Sequence, residues 1–183
     1  MAGLDSYTKA LLHFNTDTID SASNIEWIKS GNSTINTTQK KFGAGSLFLD
    51  GTNSYIYIPI NDDFNFGTND FTIDWWEYRL NSGAGQPIVS IQTSPTDGSY
   101  THFSLVLGWV ENGSPAMFSS TTGGGYEIAY AISMGSMITN AWVHQALVRK
   151  GSTFYLFQNG NLITSFQNSG SIYYSSNYQV TLS

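Results

Sequence analysis

Asp74 and Glu77 stand three residues apart in the run Phe71-Thr-Ile-Asp-Trp-Trp-Glu-Tyr-Arg-Leu80, and paired carboxylates are residue types that general acid/base chemistry uses. Arg79 lies two residues beyond Glu77, on the same face of an extended strand, so an ion pair at the strand end is the simpler expectation. The histidines His13, His102 and His144 fall in separate segments with no acidic or histidine partner at ligand spacing, which argues against a histidine metal centre. His144, flanked on its face by Trp142 and Ala146, reads as a hydrogen-bonded core histidine. There is no cysteine and no Gly-x-Ser-x-Gly elbow, so neither thiolate nor activated-serine chemistry is in view. Tyr126, Tyr100, Tyr173 and Tyr174 lie beside polar, turn-rich stretches and are the candidate aromatic surface for a ligand such as a sugar. Trp109 alternates with Phe103, Leu105 and Leu107 and reads as buried with them.

The elements that must position these groups are strands. No helix-period pattern is sustained, whereas short apolar or alternating runs bounded by Gly, Asn, Asp and Ser recur. Strands are expected at 10–14, 46–49, 55–58, 71–80, 87–91, 103–110, 116–119, 127–132, 142–149, 153–158, 162–166 and 178–182. Twelve such runs suit two packed antiparallel sheets. Asn159-Gly160 between two alternating runs predicts a tight type I′ hairpin, and Asp50-Gly51 predicts a longer hairpin between 46–49 and 55–58. The stretches 15–39 and 111–126 read as long loops. Asn32, Asn36 and Asn112 fit the glycosylation triplet but read as loop residues in so Asn- and Thr-rich a chain.

The 183 residues are 40% hydrophobic and 15% aromatic, enough for a packed core with Trp75, Trp76, Trp109 and Trp142 among its members. Only 11% are charged, with a net charge of -6, which opposes binding to phosphate backbones and so argues against nucleic acid. No run approaches a membrane-spanning length, and the N-terminus shows no secretory signal. With no linker or charge run to divide it, the chain reads as a single domain over 1–183.

Three ordered segments carry a family resemblance: Phe42-Gly-Ala-Gly-Ser-Leu-Phe-Leu-Asp-Gly-Thr-Asn-Ser-Tyr-Ile-Tyr-Ile-Pro59, Asp70-Phe-Thr-Ile-Asp-Trp-Trp76, and Trp142-Val-His-Gln-Ala-Leu-Val-Arg149 continuing to Gly160. Together they resemble the laminin G-like, concanavalin A-like lectin and glucanase jelly rolls. The resemblance implies an all-β fold, a two-sheet antiparallel jelly-roll sandwich. It also implies a closing strand of Gly-x-Ile-Asp-Glu type, which this sequence lacks before Ser183. Either the sequence is a piece of a longer protein, or the strand at 10–14 is expected to present an edge that is left open or filled by a neighbouring subunit or by residues outside this sequence, in an oligomeric or strand-completed assembly.

Glycoside hydrolases of this superfamily resemble Glu-x-Asp-x-x-Glu along the active strand. Thr72 occupies the first, nucleophile position here, so the resemblance implies no catalysis. Relatives that bind calcium use loop oxygens, for which Asp50, Asn53, Asp62 and Asp63 are the candidates and Ca2+ the candidate cofactor. The expected function is a non-catalytic surface recognition or structural module. The favoured setting is the surface of a phage or virus particle, as a tail fibre or head decoration contacting other virion subunits and a cell-surface glycan. The alternative is a glycan-binding lectin module of a secreted bacterial protein, extracellular or on the cell surface. A glycoside hydrolase ranks below both.

Overall fold

The computed structural model describes residues 4–83, 85, 87–93 and 102–183. Among these the only helical element is one 3-10 turn at Asp62–Phe64, and no helix is long and apolar enough to cross a membrane. The chain divides into two compact units, residues up to Ile58 with Ser183, and Pro59–Leu182.

The first unit is built from two short antiparallel pairs. β1 (Ile28–Ser30) pairs with β4 (Tyr55–Pro59), and β2 (Thr34–Asn36) pairs with β3 (Ser46–Phe48). Asp50-Gly51 is thus not a hairpin: it links strands that belong to different pairs. Between them the Asp50 carboxylate accepts from the Thr52 and Asn53 N–H groups and the Ser54 hydroxyl, and from Asn32 Nδ2 at 2.9 Å, closing an Asx-type loop. These bonds, led by that of Ser54, hold its pKa well below the usual carboxylate range. β1 and β2 arise inside the stretch read as loop.

The expected strand at 10–14 does not form either. Leu12 makes one isolated bridge to Asp20, and the buried Asp20 carboxylate takes the Leu11 and Ala22 N–H groups, each at 2.8 Å, and the Ser23 hydroxyl. A side chain stands where a partner strand would be, so the open edge expected there is absent. Trp27, 2% exposed, donates its backbone N–H to the Thr18 carbonyl at 2.9 Å and accepts at its own carbonyl from the Thr18 hydroxyl at 2.8 Å.

The second unit carries the remaining strands: β5 (Phe71–Tyr78), β6 (Val89–Gln92), β7 (Phe103–Glu111), β8 (Ser114–Ser119), β9 (Ala129–Ser133), β10 (Trp142–Lys150), β11 (Thr153–Gln158), β12 (Asn161–Gln167) and β13 (Gln179–Leu182). One sheet is four-stranded, in the order β12-β11-β10-β5. In the other, β13, β6, β7, β8 and β9 lie side by side in that order. The run at 178–182 therefore pairs with β6, Val180 facing Ile91. Every pairing in both sheets is antiparallel, as the sandwich class requires.

Asn159 and Gly160 adopt φ of 50° and 78° and join β11 to β12 in the expected tight turn. Asn112 and Gly113, at 50° and 79°, make the same turn between β7 and β8 where a loop was expected. The core includes Leu105, Leu107, Met117, Leu147, Phe154 and Leu156, none more than 1% exposed. Arg149 is also buried, its guanidinium bonded to the Gly67 and Gly151 carbonyls and placed 4.8 Å from the Phe154 ring centroid.

Candidate functional site

Two irregularities in β7, β8 and β9 build the site. Val106 faces Phe118 and Leu107 faces Met117, but the next pair is Trp109 with Ala116, so Gly108 is an extra residue. Gly108 has φ of 77°, and a Cβ placed there would meet Ile88 at 2.9 Å and Arg79 at 3.1 Å. Arg79 donates to the Gly108 carbonyl at 2.7 Å while pairing with Glu77 at 3.2 Å. The bulge moves Trp109 off the face of Leu105 and Leu107 and onto that of Ala116 and Phe118. The alternation that predicted a buried Trp109 fails at Gly108, and an isolated glycine in a strand is the signal that could have announced it.

The second irregularity sits on β9. Met117 pairs with Ile132 and Ser119 with Ala129, which sets Tyr130 and Ala131 opposite Phe118 alone, with Ala131 at φ 52°. Tyr130 projects at 62% exposure while Ala131 packs on the cluster of Phe103, Val106, Ala116 and Phe118.

The result is a hollow of about 150 Å³ lined by Phe103, Val106, Trp109, Glu111, Phe118, Tyr126 and Tyr130. Its rings meet as walls. Tyr126 and Tyr130 lie 5.0 Å apart at 77°, Phe118 and Tyr130 5.7 Å apart at 86°, and Phe103 and Tyr126 5.4 Å apart at 40°. Trp109 Nε1 donates to Glu111 Oε2 at 3.3 Å.

Tyr126 is held by the loop that carries it. Ser120 Oγ accepts from the Thr122, Gly123 and Gly125 N–H groups and donates to Glu127 Oε2 at 2.9 Å. Glu127 also accepts from Thr121 N–H and the Thr122 hydroxyl. Its own backbone N–H first, then that of Thr121, lower its pKa to about 2.

Of the sequence candidates, Tyr126 alone lines the hollow. Tyr100 lies outside the described residues. Tyr173 is half-buried against Gly123 and the Tyr178 ring, and Tyr174 donates to Asp62 Oδ1 at 3.3 Å, with its pKa raised by burial and by Asp62. Asp62 and Asp63 belong to the 3-10 turn capped by Asn61 in the second unit, whereas Asp50 and Asn53 belong to the first. Among the described residues no three His, Cys, Asp or Glu side chains gather as a metal site. Trp109, Glu111, Phe118 and Tyr130 were not singled out as site residues by sequence.

Asp74 and Glu77 take opposite faces of β5, as the strand period demands. Glu77 forms the expected pair with Arg79. Asp74 instead meets His144 Nε2 at 3.2 Å on the outward face, where the His144 ring lies 5.2 Å from that of Trp76. His144 is therefore not a core residue, and Trp76 is 39% exposed: both occupy even positions of ladders whose odd positions, such as Val143 and Leu147, fill the interior.

The profile of the concanavalin A-like lectin/glucanases superfamily, in its laminin G form, matches residues 50–182. The chain belongs to this superfamily. Within the concanavalin A-like fold, domain 4 of AbnA, a GH43 extracellular arabinanase from Geobacillus stearothermophilus solved in complex with arabinotriose, superposes with a TM-score of 0.67. That match covers 92% of this chain and 79% of the other at 17% identity, a likeness of fold. The carbohydrate-binding module CBM66 from Bacillus subtilis aligns over 85% of this chain and 86% of its own, with a TM-score of 0.37 and 16% identity. No curated protein matches the sequence.

Proposed function

We propose that this concanavalin A-like domain is a non-catalytic glycan-binding module that holds a saccharide in the hollow between Trp109, Tyr126 and Tyr130. The observation that carries the reading is the hollow itself: an aromatic-lined concavity with a carboxylate and two phenol groups, on a loop pre-ordered by Ser120 and Glu127. Aromatic faces take the apolar face of a sugar ring, while Glu111 and the tyrosyl hydroxyls supply hydrogen bonds. The arabinotriose complex of domain 4 of the Geobacillus arabinanase supports the same reading by analogy of fold.

The absence of catalysis is supported by β5. Its two carboxylates point to opposite faces, and each has its own partner, so they cannot flank one glycosidic bond at the roughly 5 Å separation that retention needs. Of the two settings the sequence suggested, a module of an extracellular bacterial protein has the better support, because a domain of an extracellular arabinanase shares this fold. The virion setting draws no support from the comparisons.

The test is a glycan array run with and without calcium, followed by calorimetry on the best hit for the wild type and Trp109→Ala. Binding that Trp109→Ala weakens by about 2 kcal/mol is the expected result. A hit that Trp109→Ala binds equally well would move the site elsewhere, and turnover of an aryl glycoside lost in Asp74→Asn would restore an enzyme.

A further inference from the structure

Residues 59–182 contain eight carboxylates and only three cationic side chains, Arg79, Arg149 and Lys150. All three cations are committed. Arg79 is held by Glu77 and the Gly108 carbonyl, Arg149 is buried on backbone carbonyls, and Lys150 pairs with Asp70 at 3.0 Å. None of them lines the hollow, where Glu111 is the one charged side chain among the lining residues. Five aromatic rings surround it, and the faces of such rings carry partial negative charge.

Ring arrangement adds a second, independent indication. A flat sugar face is best served by a single coplanar platform, whereas Tyr126, Tyr130 and Phe118 stand at 61° to 86° to one another and form a corner. Corners of aromatic walls are the geometry that surrounds a compact ammonium group, which gains from each ring it approaches, and the same hollow carries a carboxylate in its lining. A neutral sugar hydroxyl can still take a hydrogen bond in the same hollow, but it gains far less from the ring faces than a full positive charge does. Trp109, bonded to Glu111, remains as the stacking surface for the ring that bears the cation.

We infer that the hollow selects an ammonium-bearing saccharide, an unacetylated amino sugar, with the cation in the Tyr126–Tyr130–Phe118 corner of the hollow that Glu111 also lines. This rests on the glycan-binding reading and narrows it to a substrate class. Charge is the selecting feature: acetylation removes the cation while leaving the ring and its other hydroxyls in place.

Calorimetry at low ionic strength against a glucosamine trimer, the N-acetylglucosamine trimer, a neutral arabinan trimer and free choline tests it. The expected result is glucosamine binding roughly tenfold or more tighter than its N-acetylated form, weakened by added salt, with the gap closed in Glu111→Gln and retained in Asp74→Asn. Thermal melts of both variants exclude unfolding as the cause. Equal affinity for the two glucosamine trimers, or binding of the arabinan trimer alone, overturns the charge inference and leaves the glycan reading standing. Choline binding as tightly as the amino-sugar trimer overturns the saccharide assignment along with it. No binding of any probe overturns the inference, and whether the glycan reading survives is then decided by the array.

Discussion

The outward face of the four-stranded sheet and the hollow on β7, β8 and β9 use similar residues to different ends. Both display tryptophan, tyrosine and a carboxylate. On the four-stranded sheet β5 and β10 pair in unbroken register from Trp142 with Tyr78 to Arg149 with Phe71, so the aromatics lie along an even ladder. Asp74 there is answered by His144, and Trp76 leans on the same imidazole. Across the unit, Gly108 and the Tyr130-Ala131 step each break the register, and the side chains close around a hollow whose carboxylate, Glu111, is the one charged group among its lining residues. Exposed aromatic residues do not by themselves make a site. The irregularity of the strands beneath them does, by re-aiming side chains that a regular ladder would keep in plane.

The sharpest way to break the comparison is to repair a bulge. Gly108→Val forces a branched residue to φ near 77° against Ile88 and Arg79, and should destabilise by about 3 kcal/mol or more in denaturant titration while abolishing binding. A variant of unchanged midpoint would show that Gly108 is dispensable to the bulge. Next in size is the pair Trp109→Ala and Trp76→Ala. The first should weaken glycan binding by about 2 kcal/mol with little change in m-value, and the second should leave affinity unaltered. Equal losses would mean that both faces contact ligand.

Gly160→Val provides the regular-turn counterpart to Gly108. Its φ is 78°, but no atom lies within 4 Å of the added Cβ, so only backbone strain is charged, about 1 kcal/mol or a little more. An unaltered melting temperature would contradict the type I′ assignment. The smallest effect concerns acid. Glu127 titrates at about 2 in the folded protein against an ordinary 4.5, so its contribution is complete above pH 4.5 and disappears as pH falls toward 2. Wild type should lose more stability than Glu127→Gln across that window, with the Tyr126 loop loosening first in hydrogen exchange. Parallel curves would assign the acid sensitivity to other carboxylates, such as Asp50 and Asp70, whose pKa values are also lowered.

Much of the fold was legible from residues near one another in the chain. Eleven of the expected strands form, and the Asn159-Gly160 turn and the Glu77–Arg79 pair lie where their spacing placed them. The site was legible only at Tyr126. Trp109 was assigned to the wrong face because period-two counting has no knowledge of an inserted glycine, although Gly108 was in plain view. Tyr130 and Glu111 gave no local sign at all.

Strand identity, turn type and the threonine rather than a carboxylate at position 72 depend on backbone preference and residue type, quantities a short stretch of sequence carries within itself. Which strands pair is another matter. The choice of β2 over β4 as the partner of β3, the replacement of a strand at 10–14 by the Asp20 carboxylate, and the gathering of Glu111, Tyr126 and Tyr130 around one hollow all depend on contacts between distant segments. Those contacts compete on packing and hydrogen bonding across the whole unit, and one extra residue reverses every face beyond it. Tertiary structure therefore decided where the aromatic groups point, and so which of them gather around the candidate hollow.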